Sequence, residues 1–479
     1  MNIIVIGDTI LDINNVSDSY RMAPEANIPI YKVLDTNYIL GGATNVCYNL
    51  KNLNANVELI SVIGNDSYGT KITDILLSKQ IQHKLFIEDD RKTTQKNRII
   101  VKDSINVRFD IEDEHDISNE TADKIISYIQ QQQQQSISAI VISDYDKGVI
   151  TEYLCTNLIN YANSLGIPTF VDPKMKNYRK YKNCFCIKPN WNEIKILTNY
   201  QCANNNHDFT NYEYNNHHID NMLECLKEKL TCNNILLTLG KEGMIFNNTS
   251  NTIKHTNLIN INVKDVTGSG DLVLAVLVYV YLIEKDLLLA AKVSNYIAGK
   301  GVSVVGNYVT SLDDIKEYNE NVLLYENKII YDYELEKIKT LSKKSNVVFT
   351  NGCFDILHSA HIKLLQFSKK QGDLLVVGLN SDKSIQRIKG AERPINDIHE
   401  RSVILSLFDF IDFIIIFEDD TPYHVIKNLS PHTLIKGSDY KKEDIVGNEL
   451  VKKVILFTLI DNKSSTNVIN KIKKYKSFI

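Results

Sequence analysis

Residues 266–271 read Val-Thr-Gly-Ser-Gly-Asp and run directly into an apolar stretch from Leu272 to Ile283. Small residues at such a turn let backbone N–H groups approach an oxyanion, and the N-terminus of a following helix adds positive potential. Asp271, held at that turn, can accept a proton from a hydroxyl that attacks a phosphoryl group. An ordinary glycine-rich turn ahead of a buried helix would read the same way, so the surrounding chain has to decide. The apolar stretch is roughly a dozen residues, against about 20 for a membrane span, which makes it a buried helix.

Working outward, short apolar strands alternate with helical patterns over most of the chain, the signature of βαβ units and a parallel sheet. Strands are expected at Ile3–Ile6, Ala139–Ser143, Pro168–Val171, Cys184–Ile187 and Ile235–Leu239, and in a second series at Val347–Thr350, Leu374–Gly378, Phe413–Phe417 and Thr433–Ile435. The charged segment between the series reads as a connector. Two low-complexity patches, Gln130–Gln135 and Cys202–Asn221, interrupt the first half. The 479 residues allow two or three domains. A net charge of −4 gives no reason to expect nucleic acid or a membrane surface as partner. The eight cysteines are scattered without a C-x-x-C pair, so reduced, packed thiols are expected rather than zinc or a disulfide framework. Nothing directs the chain out of the cytoplasm.

Further segments of the first half suit phosphoryl transfer. Gly7-Asp8 and Asp12 close the first strand, where open α/β sheets place ligand contacts. Gly41-Gly42 and Asn45 offer close backbone approach and a polar side chain. Asn190 and Glu193 share a helix face and can hold water around Mg²⁺. Thr238, Gly240 and Gly243 form a turn after a strand that suits nucleotide phosphates. The combination resembles the ribokinase-type (PfkB) sugar kinase family. Arg21–Ala26, Ser143-Asp144-Tyr145 with Lys147-Gly148, and Asp172-Pro173-Lys174 resemble its heptose-7-phosphate kinase branch. The resemblance implies that Asp271 is the base for the sugar 1-hydroxyl and that Gly268, Ser269 and Gly270 form the anion hole. It implies that Asp8, Asp12, Gly41, Gly42, Asn45 and Lys174 hold the sugar, that Asn190 and Glu193 belong to the Mg²⁺ network, and that Thr238, Gly240 and Gly243 line the ATP site. Segments Tyr20–Asp35 and Lys96–Asp110 would form a small β lid that dimerises, with Lys96, Arg98 and Arg108 near the 7-phosphate.

In the second half, Thr350-Asn351-Gly352-Cys353-Phe354-Asp355 leads into His358-Ser359-Ala360-His361. Two histidines three apart at a helix start share a face, and both can donate to phosphate oxygens around a pentacoordinate phosphorus. Lys389-Gly390, Arg393-Pro394 and Arg401 add cations, and Asn462–Thr466 adds hydroxyls before a final helix. This ordered set resembles the cytidylyltransferase-like nucleotidyltransferases, in their heptose-1-phosphate adenylyltransferase branch. The resemblance implies that His358 and His361 stabilise the transition state on the α-phosphate of ATP. Ser464, Ser465 and Thr466 would cradle the β- and γ-phosphates, Thr350, Asn351, Phe354 and Asp355 would belong to the nucleotide pocket, and Lys389 and Arg393 would contact phosphates. Ala360 stands where that family has glycine. Its methyl hinders binding if the backbone must approach the nucleotide there, and is harmless if the backbone is plain helix.

The expected architecture is α/β: a ribokinase-like doubly wound sheet with a β lid (1–320), a connector (321–345) and a smaller Rossmann-like nucleotidyltransferase domain (346–479). The two resemblances together imply ATP-dependent phosphorylation of heptose 7-phosphate at O1, then adenylyl transfer to heptose 1-phosphate, with ATP and Mg²⁺ in both steps. Two alternatives stay open: a second domain acting on another sugar or polyol phosphate, and an inactive one.

Overall fold

The run Ile3-Ile4-Val5-Ile6 is buried throughout, as a strand covered on both faces of a parallel sheet must be. In this computed structural model the chain forms two compact units, Met1–Lys316 and Glu317–Ile479. The residues described are 1–102, 104–132, 136–174, 176–198, 216–248, 252–255, 263–304, 306, 308–322, 328–330, 338–339, 345–438 and 441–458.

The strands of the first unit are β1 (Asn2–Gly7), β2 (Thr9–Met22), β3 (Pro29–Gly42), β4 (Asn56–Gly64), β5 (Gln82–Glu88), β6 (Gln95–Val101) and β7 (Ser104–Ile111). They continue with β8 (Ile137–Ser143), β9 (Thr169–Asp172), β10 (Cys186–Ile187), β11 (Asn234–Thr238), β12 (Met244–Asn247) and β13 (Thr252–His255). Among the described residues nine of them form one sheet in the order β13-β12-β11-β10-β9-β8-β1-β4-β5. The run from β11 to β5 is parallel, and β12 and β13 add an antiparallel edge. The chain moves outward from β1 to β4 and β5, then crosses back to β8 on the other side. The gap between the carboxyl ends of β1 and β8 is therefore a switch point, where such sheets bind ligands.

A second sheet, β3-β2-β6-β7, is the expected lid. It begins earlier than the sequence suggested. β2 and β3 pair antiparallel from Thr9↔Gly42 to Met22↔Pro29, so Asp12 lies on a lid strand and does not close the first strand. The helix Ser269–Glu284 is buried at every position from Asp271 to Val280, as an all-apolar helix requires. It packs on the helices Ala43–Asn52 and Leu287–Val302.

The second unit is built on an all-parallel sheet of β14 (Ile329–Ile330), β15 (Val347–Gly352), β16 (Leu374–Asn380), β17 (Phe413–Phe417), β18 (Thr433–Gly437) and β19 (Lys453–Phe457), ordered β14-β17-β16-β15-β18-β19. Its switch point falls between β15 and β18. Apolar residues alternate between two cores, Val347 and Phe349 on one face and Val348 on the other. The connector expected at 321–345 contributes to this unit: Ile329–Ile330 pairs with β17, and Ile338 is buried in its core. Apolar side chains set apart by charged neighbours hid these anchors in the sequence.

The described cysteines are all unpaired, and most are buried. Among the described residues no helix is long and apolar enough to cross a membrane. The Asn-rich patch lies largely outside the described residues, as does the end of the glutamine run.

Candidate active sites

In the first unit, the Val266–Asp271 turn places Gly268 at φ 72°, a left-handed backbone that glycine adopts without strain. This starts the helix at Ser269 and turns Asp271 inward. Asp271 is buried; its Oδ2 accepts from Asn45 Nδ2 at 2.9 Å and its Oδ1 from the Tyr145 hydroxyl at 2.7 Å. Burial, with the nearby Asp172 adding to it, pushes its pKa up to about 6 against the pull of those two donors and of Lys188. Lys188 is itself buried and lies 3.0 Å from Asp172, and a Cβ on Gly270 would sit 3.4 Å from its Nζ. A cation thus faces the proposed anion hole. Tyr145 and Lys188 were not singled out as site residues from the sequence. The signal was present, because Tyr145 ends the Ser143-Asp144-Tyr145 motif and Lys188 stands two residues before Asn190.

The expected sugar-binding residues divide. Asp8 spends most of its acceptor capacity on its own chain. Its Oδ2 accepts the backbone N–H groups of Tyr145 at 2.7 Å and Lys147 at 3.3 Å, and its Oδ1 that of Val149 at 3.1 Å. Burial, and then Asp144, raise its pKa to about 6. Asp12 pairs with Arg98 at 2.6 Å, and a Cβ on Gly41 would come within 2.4 Å of Asp12 Oδ2, so a side chain at 41 would push the Asp12 carboxylate from its place. Gly42 ends β3 directly before the helix that carries Asn45. Lys96 lies with its Nζ 5.3 Å from the Tyr145 ring centre, and burial lowers its pKa. Arg108 pairs with Asp110 at 2.6 Å on the exposed strand β7.

Asn190 and Glu193 form a reciprocal helix cap. Asn190 Oδ1 accepts from the N–H groups of Asn192 and Glu193, and Glu193 Oε2 accepts from Asn190 N–H. Glu193 Oε1 accepts from Lys174 Nζ at 2.7 Å. Each Glu193 oxygen keeps one lone pair and fits a hold on metal-bound water, whereas both lone pairs of Asn190 Oδ1 are spent on the cap. Thr238 closes β11 in a bridge with Asn190, and Gly240 and Gly243 turn the chain beyond it. The cap and this turn are therefore neighbours.

In the second unit, His358 is the N-cap of the helix Ser359–Lys369 and His361 lies one turn on. Their rings stack with centres 3.7 Å apart, and Phe354 closes against His361 at 5.2 Å. Burial, then His358 and Lys389, push the His361 pKa down to about 4. A neutral imidazole stands ready, and an arriving phosphate would favour its protonation. Thr350 is fully buried on β15, and the Asn351 carbonyl accepts from Lys436 Nζ at 3.4 Å across the switch point. Asp355 is occupied by its own chain. It pairs with Arg393 and accepts the N–H groups of Ile395 at 2.8 Å and Asn396 at 3.0 Å. Arg401 is fully buried rather than presented to phosphate, donating to the carbonyls of Cys353, Asn380 and Asn396 and to Asp382. Ser464, Ser465 and Thr466 lie outside the described residues.

A buried carboxylate at a glycine-led helix start on one sheet, and stacked histidines at a helix start on another, define a carbohydrate kinase joined to a nucleotidyltransferase. Residues 1–314 match the pfkB family carbohydrate kinases, and residues 349–474 match the cytidylyltransferase-like family. The chain is 37% identical over 479 residues to the bifunctional protein HldE of Aliarcobacter butzleri (strain RM4018), covering 99% of this chain and 98% of that protein. It is 36% identical over 477 residues to the bifunctional protein HldE of Campylobacter jejuni (strain RM1221), with 99% and 98% covered. Escherichia coli phosphofructokinase-2 in complex with potassium shares the fold, with a TM-score of 0.54 at 15% identity, covering 66% of this chain and 96% of that one. The chain belongs to the bifunctional HldE family.

Ala360 lies inside the Ser359–Lys369 helix and is buried. The backbone there is plain helix, where alanine is favoured over glycine by about 0.5–1 kcal/mol. Ala360→Gly is expected to lower stability by about that amount in urea unfolding of the chain, and to leave nucleotidyl transfer within about twofold. A tenfold rise in transfer efficiency in the glycine variant would show instead that the methyl group obstructs the nucleotide.

Proposed function

We propose that the chain carries out two steps of ADP-heptose synthesis. The first unit moves the γ-phosphoryl group of ATP to O1 of D-glycero-D-manno-heptose 7-phosphate, and the second joins heptose 1-phosphate to the AMP part of ATP, releasing pyrophosphate. The reading rests on the full-length likeness to bifunctional HldE proteins, together with the buried Asp271 at the start of its helix. Both substrates are phosphorylated metabolites of the cytoplasm, where we place the reaction.

In the kinase, Asp271 takes the proton of the O1 hydroxyl as the bond to phosphorus forms and the bond to the β,γ-bridging oxygen breaks, with ADP leaving. The N–H groups at Gly268, Ser269 and Gly270, and the Lys188 ammonium beside Gly270, meet the charge on the moving phosphoryl group. Mg²⁺ would supply further charge neutralisation, with Glu193 holding its water and Asn190 fixing Glu193 through the shared cap. Lys96 and Arg98 on the lid suit the 7-phosphate, and Thr238, Gly240 and Gly243 suit the nucleotide. In the transferase, His358 and His361 donate to the α-phosphate as the sugar phosphate attacks and pyrophosphate leaves. Lys389 and Arg393 suit the remaining phosphates, and the helical backbone at Ala360 supports a working site.

The lid leaves apolar side chains uncovered, among them Leu34, Ile105 and Phe109, at 57%, 61% and 47% exposure. We assign this sheet to contact with a second copy of the chain, since its outer strands β3 and β7 both leave large apolar side chains in water. Sedimentation is expected to show a dimer that Phe109→Asp dissociates; a dimer unchanged by that substitution would count against the lid.

Offered ATP with heptose 7-phosphate, the protein is expected to transfer phosphate, and Asp271→Asn to lower kcat by about a thousandfold. Only the charged carboxylate is a base, and its pKa is raised to about 6. Kinase activity should therefore hold above that pH and fall about tenfold per unit below it. An acid limb near 4 would contradict this role.

Offered ATP with heptose 1-phosphate, the protein is expected to release pyrophosphate. His361→Ala should reduce this by about a hundredfold or more, while phosphate transfer to heptose 7-phosphate stays within about twofold. No pyrophosphate from the unaltered protein with any sugar phosphate would remove the transferase from the assignment.

A further inference from the structure

Tyr145 makes three connections that join parts of the first unit. Its backbone N–H is one of the three held by Asp8, which fixes the 145–149 turn against the end of β1. Its hydroxyl donates to Asp271 Oδ1 at 2.7 Å. Its ring lies under two cations, Lys96 from lid strand β6 and Lys174 from the segment after β9, each 5.3 Å from the ring centre. A half-buried phenol so placed has little freedom to leave the carboxylate.

We propose that Tyr145 is a positioning residue for the kinase reaction: its hydroxyl fixes the rotation of the Asp271 carboxylate and favours its charged form, and the lid reaches the base through Lys96 and the Tyr145 ring. The inference rests on the reading of Asp271 as the base. A carboxylate oxygen has two lone pairs, so Oδ1 can accept from Tyr145 and still take the substrate proton. With Asn45 on Oδ2, both oxygens are held, and the carboxylate cannot swing out of line with the attacking hydroxyl.

The electrostatics support this geometry. The groups facing Asp271 are Asn45 on the helix after β3, Tyr145 on the turn after β8, Asp172 at the end of β9 and Lys188 after β10. Burial, followed by Asp172, raises its pKa, while the donors Asn45 and Tyr145 and the cation Lys188 lower it. Tyr145 remains a donor across the working range, because burial and the neighbouring Asp271 hold its own pKa well above the ordinary phenol value. Taking away its hydroxyl leaves burial less opposed.

The test compares the full-length protein with Tyr145→Phe and Asp271→Asn, measuring kcat and KM for heptose 7-phosphate and for ATP from about pH 5 to 9. Phenylalanine keeps the ring under both lysines, so the melting temperature should stay within a few degrees. In Tyr145→Phe the acid limb of kcat is expected to move up by about one pH unit, giving a loss of about tenfold below the limb. Above the limb the loss should be no more than about fivefold, with KM for either substrate within about threefold. An acid limb that does not move overturns the proposal, whether the loss is uniform in pH or confined to KM. Asp271→Asn separates the two readings. If it is inactive while the Tyr145→Phe limb stays in place, only the role of Tyr145 fails; if it retains activity, the base assignment fails and takes this inference with it. Should the phenylalanine variant not accumulate, Tyr145→Leu is read by the same limb.

Discussion

The first candidate site depends on one buried carboxylate that braces the chain around it. Asp8 stands at the carboxyl end of β1, where the sheet switches direction, and its two oxygens hold the backbone N–H groups of Tyr145, Lys147 and Val149. Hydrogen bonds to a charged group are worth about 1.5–3 kcal/mol each, which would ordinarily favour its charged form. Here burial and the nearby Asp144 win, and the pKa rises to about 6. A carboxyl raised in the fold contributes fully below its unfolded pKa and loses that contribution as pH rises through about 6. At neutral pH the charge is thus held at a cost in stability. In exchange, the turn that carries Tyr145 is fixed against β1, and Tyr145 is thereby aimed at Asp271. Without that tie, Asp271, the proposed base, would lose the Tyr145 hydroxyl and keep its own helix and Asn45.

The second unit uses the same device on an unrelated strand. Asp355 follows β15 and accepts two N–H groups from the distant segment at Ile395 and Asn396, with Arg393 paired to it. Arg401 completes the arrangement. Its guanidinium is almost entirely out of water and gathers carbonyls at Cys353, Asn380 and Asn396. Three chain segments that meet at the ends of β15 and β16 would otherwise leave those carbonyls unsatisfied. Leaving one buried acceptor without a partner costs about 1–3 kcal/mol, so an arginine that satisfies three of them ties together the segments beyond β15 and β16.

These anchors explain what could be read from the chain and what could not. The parallel strands were legible because strands covered on both faces are continuous apolar runs; Ile3–Ile6 and Val347–Thr350 lie inside β1 and β15. The turn at Val266–Asp271 was legible because a glycine-led helix start with an aspartate is a local pattern. The commitment of Asp8 and Asp355 was not, because their partners are backbone N–H groups far along the chain, which carry no residue-type signal. Arg401 read as one more cation of the second half, whereas its burial follows from three carbonyls that only the fold brings together. Asn190 and Glu193 were legible as a pair at helical spacing. That spacing equally specifies a capping box, and the structure uses it for one.

A net charge of −4 gives the chain no overall attraction for multiply phosphorylated ligands, and the local arrangement sharpens the point. Four of the cations near the two candidate sites are already paired: Arg98 with Asp12, Lys174 with Glu193, Lys188 with Asp172 and Arg393 with Asp355. Each pair holds a flexible side chain in place while keeping the local charge near neutral, so a simple anion gains little by entering. A phosphate ester carrying two charges can draw on such a cation without first ordering it, and the N-terminus of the Ser359–Lys369 helix, with no acidic residue in its first turn, adds partial positive charge. Selection for phosphorylated sugars and ATP then rests on geometry that only a correctly shaped, doubly charged ligand can use, and less on a field that would attract any anion.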